Sequence, residues 1–350
     1  MVDVAATEVA KRYGGPAILA PNPTNVRPAV EVIGLSGLGS VAQLTWALHR
    51  SRRVFVIGAD ILDGAYNSKT IMKRLRMAQA AHMLGAKVRV VGCSFSANAD
   101  LSVTAFLKRS KWLEILARDP VSQARLETAL NCQIELVADT AFLLRPEATT
   151  QVARNAIDWM KDQKAGGRRV LALNVSGLLF ARMEKGSLET FCRGVADWVD
   201  GNENIAALVV AHDRRPGNAG DVATCDVLDK AIRERAPNRC HYVREDIQAW
   251  DAKEIAGHLD MAFVCRMHFA IACLGRGVPP LSLVTMGKFE GLMSHFGLEG
   301  LTLDPAAAMD VQAVGTVLGD LEMRAPQLRV EIEKALPRVK ELSARNYQSL

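Results

Sequence analysis

Short, unbroken runs of β-branched and apolar residues recur along the chain. Each ends in a polar or glycine-rich turn and is followed by an amphipathic stretch. In the first half the runs are Val54–Ile57, Val88–Val91, Leu113–Leu116 and Ile134–Val137, leading into GADILDG, GCSFSANAD, ARDPVS and ADTAF. In the second half they are Val170–Val175, Ile205–Val210, His241–Val243, Met261–Val264 and Leu281–Val284. The segments between carry helical periodicity, as in Ile71–Leu84, with Leu75, Ala78, Met83 and Leu84 on one side, and in Ser122–Ala129. Unbroken apolar strands alternating with helices predict parallel sheets covered on both faces.

The pattern breaks once. Arg145–Thr150 is polar and carries a proline, a helix follows at about Gln151–Gln163, and Lys164–Arg169 (KAGGRR) is the best linker by composition. The reading is therefore α/β with two Rossmann-like, doubly wound domains, at residues 1–148 and 149–316, and closing helices over 317–350. Functional loops of such domains lie at the carboxyl ends of the strands. If the halves face each other, those loops point into a central cleft. The chain opens with a helix-like segment, Ala5–Tyr13, with no strand before it. The first strand-and-glycine-turn candidate is Val30–Ile33 with Gly34–Gly39. Either the first strand is missing from this chain, which is the expectation adopted, or the first sheet starts there.

Composition narrows the class. With 350 residues, 49% hydrophobic and 23% charged, the chain is globular and long enough for two cores. The net charge is only +5 and no run of five like charges occurs, so the balance makes no case for a nucleic-acid or membrane-surface protein. It suits an anionic small substrate, as it would many neutral functions. No stretch reaches the ~18 apolar residues of a membrane span, and the first residues lack a secretory pattern. The seven cysteines are odd in number and contain no CxxC, which reads as reduced thiols of a cytoplasmic protein without a metal site.

Candidate chemistry concentrates in Asp260–Lys288. A strand ends at Cys265, and Arg266 and His268 sit at the turn into a helix running from about Phe269 to Leu274. A helix start favours an anion, Arg266 adds a planar fork for phosphate or carboxylate, and His268 can give or take a proton near neutral pH. Lys288 follows the next strand. The alternative is a capped helix with a surface Arg and a packed His. In Arg118-Asp119-Pro120-Val121-Ser122, Asp119 or Ser122 reads as a helix cap. Arg118 is an anion-binding candidate, because a cation at a helix start opposes the dipole unless an anion sits there. Gly58-Ala59-Asp60, Gly92-Cys93-Ser94 and Asn174–Gly177 are either ligand-approach turns or plain tight turns. His212-Asp213, with Asp221 beyond a glycine-containing loop, is either a proton relay or loop hydrogen bonding. Asp139 reads as structural. No GxGxxG, GxxxxGK[ST] or GxSxG occurs.

From Arg53 to Gly300 the succession GADILDG, VVGCSFS, ARDPVSQARL, ELVADTAFLL, LNVSGLL, VVAHDRRPGNAGD and CRMHFAIACLGRGVPPLSLVTMGK resembles the polysaccharide pyruvyl transferase family. Its most specific pieces are Arg266, His268, Gly277, Pro279 and Lys288, and Arg118, Asp119 and Ser122. The family's opening G-N-x-G-D turn is absent before Arg53; Gly34–Gly39 stands in its place. The resemblance implies a GT-B-like architecture and transfer of the enolpyruvyl unit of phosphoenolpyruvate onto two sugar hydroxyls, giving a pyruvate ketal for cell-surface polysaccharide, with no cofactor or metal. It implies that Arg266, Met267 and His268 belong to the reaction site, with Arg118 and Lys288 on the donor. Asp60, His212 and Asp213 are the acceptor-side candidates. The expected partners are phosphoenolpyruvate and a saccharide, lipid-linked or free; no nucleic acid is expected, and a homo-oligomer is left open. Two rivals share the architecture: a nucleotide-sugar glycosyltransferase, for which Glu290 is the acidic residue at hand to grip ribose, and a non-catalytic sugar-binding relative.

Overall fold

The computed structural model describes residues 1–13, 17–19, 32–34, 46–59, 62–65, 67–283 and 288–348. The chain divides into two compact units, one of residues 1–144 with 337–350, the other of residues 145–336.

Unit 1 opens with helix α1 (Val2–Tyr13) and two short parallel strands, β1 (Ala17–Leu19) and β2 (Val32–Gly34). Its main sheet is four parallel strands in sequential order: β3 (Arg53–Ala59), β4 (Lys87–Cys93), β5 (Leu113–Ala117) and β6 (Glu135–Leu136). Helices α2 (Ser68–Met83), α3 (Leu101–Arg109) and α4 (Pro120–Leu130) connect them. Ile71, Leu75, Val88, Val90, Val103, Leu107, Ile115 and Leu126 form one core cluster. In β4 every residue after Lys87 is buried, as a strand covered on both faces must be. Asp119 starts α4 by accepting the Ser122 N–H at 2.7 Å.

Unit 2 holds helix α5 (Gln151–Ala165), β7 (Arg169–Asn174), α6 (Gly177–Phe180), α7 (Ser187–Gly201), β8 (Ile205–Val210), α8 (Val222–Arg233) and β9 (Cys240–Val243). It continues through α9 (Ala249–Ala256), β10 (Met261–Val264), α10 (Met267–Leu274), β11 (Pro280–Leu283), α11 (Lys288–Ser294) and β12 (Thr302–Leu303). The six strands are all parallel and ordered β9-β8-β7-β10-β11-β12. The unit's first strand lies mid-sheet and the chain reverses its direction of travel between β7 and β10. That is the Rossmann order, and its switch point opens a crevice at the carboxyl ends of those two strands.

Several expectations change. The KAGGRR segment is not a linker: Lys164 and Ala165 end α5, Gly166 caps it with its N–H on Asp162 O at 3.1 Å, and Arg169 already belongs to β7. A glycine pair ends a helix as readily as it joins domains. The units part at 144/145 rather than 148/149, and unit 2 runs to Leu336 rather than 316. The tail is one helix, α12 (Val311–Arg345), and its residues from Pro337 onward belong to unit 1. There Tyr347 is fully buried, its ring 5.7 Å from Phe55, and its carbonyl accepts the Tyr13 hydroxyl at 2.7 Å. The buried Arg89 fork holds Glu114 on one side and the carbonyls of Asn346 (3.2 Å) and Gln348 (2.6 Å) on the other. Met83 and Leu84 do not share the buried side of α2; they are 80% and 45% exposed. Near the chain start, a strand at Ala17–Leu19 precedes Val32–Gly34, and Gly34–Gly39 lies outside the described residues beyond Gly34.

Candidate active site

Three segments meet at the switch point of unit 2. β7 ends at Asn174, β10 ends one residue before Cys265, and the Cys265 N–H donates to Asn174 O at 3.1 Å. The third segment follows β8: Ala211 to Asp221, ending at the start of α8. Two glycines let these loops nest. A Cβ on Gly177 would lie 2.0 Å from Gly220 O, and one on Gly220 would lie 2.1 Å from Arg215 O. Neither position has room for a side chain.

Asp221 is the organiser. It is fully buried, and its carboxylate accepts the Asp213 N–H at 2.9 Å and the Asn174 Nδ2 at 3.1 Å. It also takes the Arg266 fork, with Nη2 at 2.6 Å and Nε at 2.9 Å from Oδ1. Arg266 Nη2 donates further to Ala219 O at 2.7 Å, and Nη1 lies 3.1 Å from Asp213 Oδ2. Asp213 is shared, since Arg215 Nη2 reaches its Oδ2 at 2.6 Å. Burial alone would raise the Asp213 carboxyl. The Arg215 hydrogen bonds and the Arg266 charge outweigh it and hold the group below the ordinary carboxylate range.

The expectation for Arg266 is corrected accordingly. Its guanidinium is not an open fork but is clamped by two carboxylates, leaving its side chain 14% exposed. Local sequence showed the cation and the helix start but not the carboxylate 45 residues upstream. One signal was available: an acidic residue immediately before α8, at the end of a glycine-containing loop that follows a strand.

Arg266 is the N-cap of α10 yet supplies no side-chain cap, and the first turn carries the positive end of the helix dipole. Met267 is half-buried and His268 is exposed on the first turn. The His212 ring lies 5.7 Å from that of Phe269 in the same helix. Burial, then the neighbouring His268 and Arg266 charges, push its imidazole down to about 4, so it is neutral at pH 7. The His212–Asp213 relay is not formed: Asp213 spends its oxygens on Arg215 and Arg266.

In unit 1, Arg118 is also corrected. It does not offer its charge outward from the start of α4. It is 4% exposed, with Nη1 on Asp139 at 2.8 Å and Nε on Ser94 at 2.7 Å. The anion that the dipole argument required is Asp139, 21 residues on. Asp60 lies outside the described residues; Lys288 opens α11, and its side chain lies outside them too. Among the described residues no group of three or more His, Cys, Asp or Glu is arranged to hold a metal.

The sequence matches the family model for polysaccharide pyruvyl transferase over residues 40–285, about 70% of the chain. The chain belongs to the polysaccharide pyruvyl transferase family. No curated protein matches it. Solved structures with similar folds include the S. aureus MnaA protein with UDP, at TM-score 0.60 and 11% identity, over 95% of this chain and 87% of that one. A putative UDP-N-acetylglucosamine 2-epimerase from Listeria monocytogenes is similar at TM-score 0.59 and 10% identity, over 100% and 86%. Sucrose-phosphate synthase from Thermosynechococcus elongatus is similar at 0.54 and 14%, over 97% and 87%. At these identities the likeness speaks for fold alone, and the fold is the GT-B-like pair of Rossmann units. Within this polysaccharide pyruvyl transferase family member, the Arg-x-His segment at the switch point of unit 2 is the part of the matched region where charge, an imidazole and a helix start coincide.

Proposed function

We propose that the chain transfers the enolpyruvyl unit of phosphoenolpyruvate onto two hydroxyls of a saccharide, forming a cyclic ketal and releasing phosphate. Cell-surface polysaccharide synthesis in the cytoplasm is the proposed setting. The observation that carries the reading is the exposed imidazole of His268 on the first turn of helix α10, beside Arg266, in a chain of this family. The donor bears about three negative charges. It would sit at the helix start, where it competes with Asp213 for Arg266 Nη1; Asp213 keeps Arg215 when displaced. Lys288, which opens α11, is a further donor-binding candidate of this scheme.

A proton delivered to the methylene carbon makes the central carbon electrophilic. One sugar hydroxyl adds there and gives up its proton. The second hydroxyl then displaces phosphate and closes the ketal, its proton leaving with the phosphate. His268 is the proton-transfer group of this scheme, while neutral His212 lies beside Phe269 of the same helix. The scheme itself calls on no metal or cofactor.

A second reading, transfer from a nucleotide sugar, is favoured by one detail: Glu290 Oε2 is buried without a hydrogen-bond partner among the described residues, as a ribose-gripping carboxylate would be before ligand binds. The deciding experiment incubates the protein with phosphoenolpyruvate and a panel of saccharides, measuring phosphate release and the ketal carbon by NMR. His268→Ala should lower turnover by about 10²-fold or more. Undiminished turnover in that variant would refute the site. Absence of phosphate release with every acceptor, together with binding of labelled nucleotide sugar, would favour the second reading.

A further inference from the structure

The mild net charge of the whole chain conceals an asymmetry. Residues 46–111 hold twelve Lys and Arg against three Asp and no Glu. The fold gathers several of these cations along one edge of unit 1. Because the strands are parallel, the starts of β3, β4 and β5 share an edge, and α2 and α3 run back to end there. The Lys87 N–H donates to Arg52 O at 3.0 Å, tying the entrances of β4 and β3 together. Arg52 and Lys87 thus stand beside Lys111 at the approach to β5, with Lys108 and Arg109 at the end of α3. All five are exposed, and none has an ion-pair partner among the described residues. Glu114, on the same edge, is already neutralised by two hydrogen bonds from Arg89.

Apolar groups stand among these cations. Met83 and Leu84, at the end of α2, are 80% and 45% exposed. Trp112 is half-buried and stacks on His82, with ring centroids 4.8 Å apart. His82, Lys87, Trp112 and Glu114 frame a cavity of about 360 Å³. The outer stripe of α2 continues the theme: Lys69, Lys73, Arg76, Ala80 and Met83 fall on one helical face, all exposed, and the helix contains no acidic residue.

We infer that this edge of unit 1 is a docking surface for an anionic phospholipid membrane. Charge complementarity selects an anionic partner. The exposed Met83 and Leu84, with an indole at the rim, select a bilayer over a nucleic acid: cations with aliphatic tips match the headgroup–acyl boundary, where an amphipathic ring also settles. No described helix is long and apolar enough to cross a membrane, so the contact is peripheral. The inference stands or falls independently of the pyruvyl-transfer reading.

The test is co-sedimentation of the full chain with vesicles of equal parts phosphatidylglycerol and phosphatidylcholine, against vesicles of phosphatidylcholine alone. Binding is expected to the first, to weaken with salt, and to be absent on the second. Lys87→Glu with Lys111→Glu should weaken partitioning by roughly 25-fold or more, about fivefold for each cation lost at an anionic surface. Met83→Ser with Leu84→Ser should weaken it by about tenfold while leaving the salt dependence unchanged. Melting curves establish that each variant is folded. If the first pair does not fold, Lys108→Gln with Arg109→Gln on the exposed end of α3 carries the same prediction. Wild-type protein left in the supernatant with anionic vesicles overturns the inference. So does equal binding to neutral vesicles, or single-stranded RNA binding that survives the apolar substitutions while vesicle binding is nil.

Discussion

Substituting Asp221 by Asn tests the construction of the site most directly. The carboxylate is fully buried and receives four donors: Asp213 N–H, Asn174 Nδ2, and Arg266 Nε and Nη2. Asn keeps the shape and one acceptor oxygen but turns its amide hydrogens toward groups that are themselves donors. It also removes the charge that compensates Arg266, whose side chain is 14% exposed. Removing one partner of a buried ion pair costs about 3–5 kcal/mol, because the other is left uncompensated. In a unit the size of residues 145–336, each kcal/mol shifts the midpoint by ~2–4 °C, so the calorimetric transition of unit 2 should fall by about 6–20 °C. Hydrogen exchange supplies the local readout: the Asp213 amide, which donates to Asp221, should lose protection before the strands of the sheet do. Asp221→Leu combined with Arg266→Met should recover most of the loss, since an apolar pair of similar volume leaves no buried charge unpaired. A fall of less than ~2 °C with an unchanged Asp213 exchange rate would refute the clamp as the organiser of the site.

Three further outcomes follow from the same contacts. The folded His212 imidazole is held at about 4 against an ordinary 6.5, so the unfolded chain takes the proton first as pH falls. Stability is therefore full above pH ~6.5 and declines toward pH ~4, and His212→Gln should flatten that slope in melts across the window. Burial pushes the thiols of Cys93, Cys192 and Cys265 up to about 12 and raises those of Cys225, Cys240 and Cys273 as well, while Cys132 is exposed. A thiol reagent should label Cys132 alone promptly in the native protein, and a second fast equivalent would contradict the packing. Tyr347→Ala removes a fully buried ring from unit 1, worth about 3–5 kcal/mol by analogy with other aromatic truncations. The urea midpoint of unit 1 should drop by about 2 M.

Strands were the legible part of this chain. Ile205–Val210 is buried at every position, and so is Met261–Val264, which is why both stand out as unbroken apolar runs. Strand order was not legible, because no local pattern records that β7 lies beside β10. The site was therefore half visible. Arg266 and His268 were marked by a helix start, but the partner of Arg266 comes from the loop after β8 and is a neighbour only through that order. Arg118 shows the same limit: dipole reasoning required an anion, and the chain supplies its own in Asp139. Met83 misleads because helical periodicity groups it with Leu75 and Ala78, although its position on the α2 stripe is with Lys69 and Arg76.

Arg89 and Tyr347 tie the end of the chain into the unit that begins it. During synthesis, residues 145–336 must emerge between the two segments of unit 1. At ~5–20 residues per second that is a wait of roughly 10–40 s, with the Phe55 face and the Arg89 guanidinium uncovered. The domain translated first is thus the one completed last. Shortening the chain at its carboxyl end should then register as damage to the amino-terminal half, and a holdase that bridges the interval would act there.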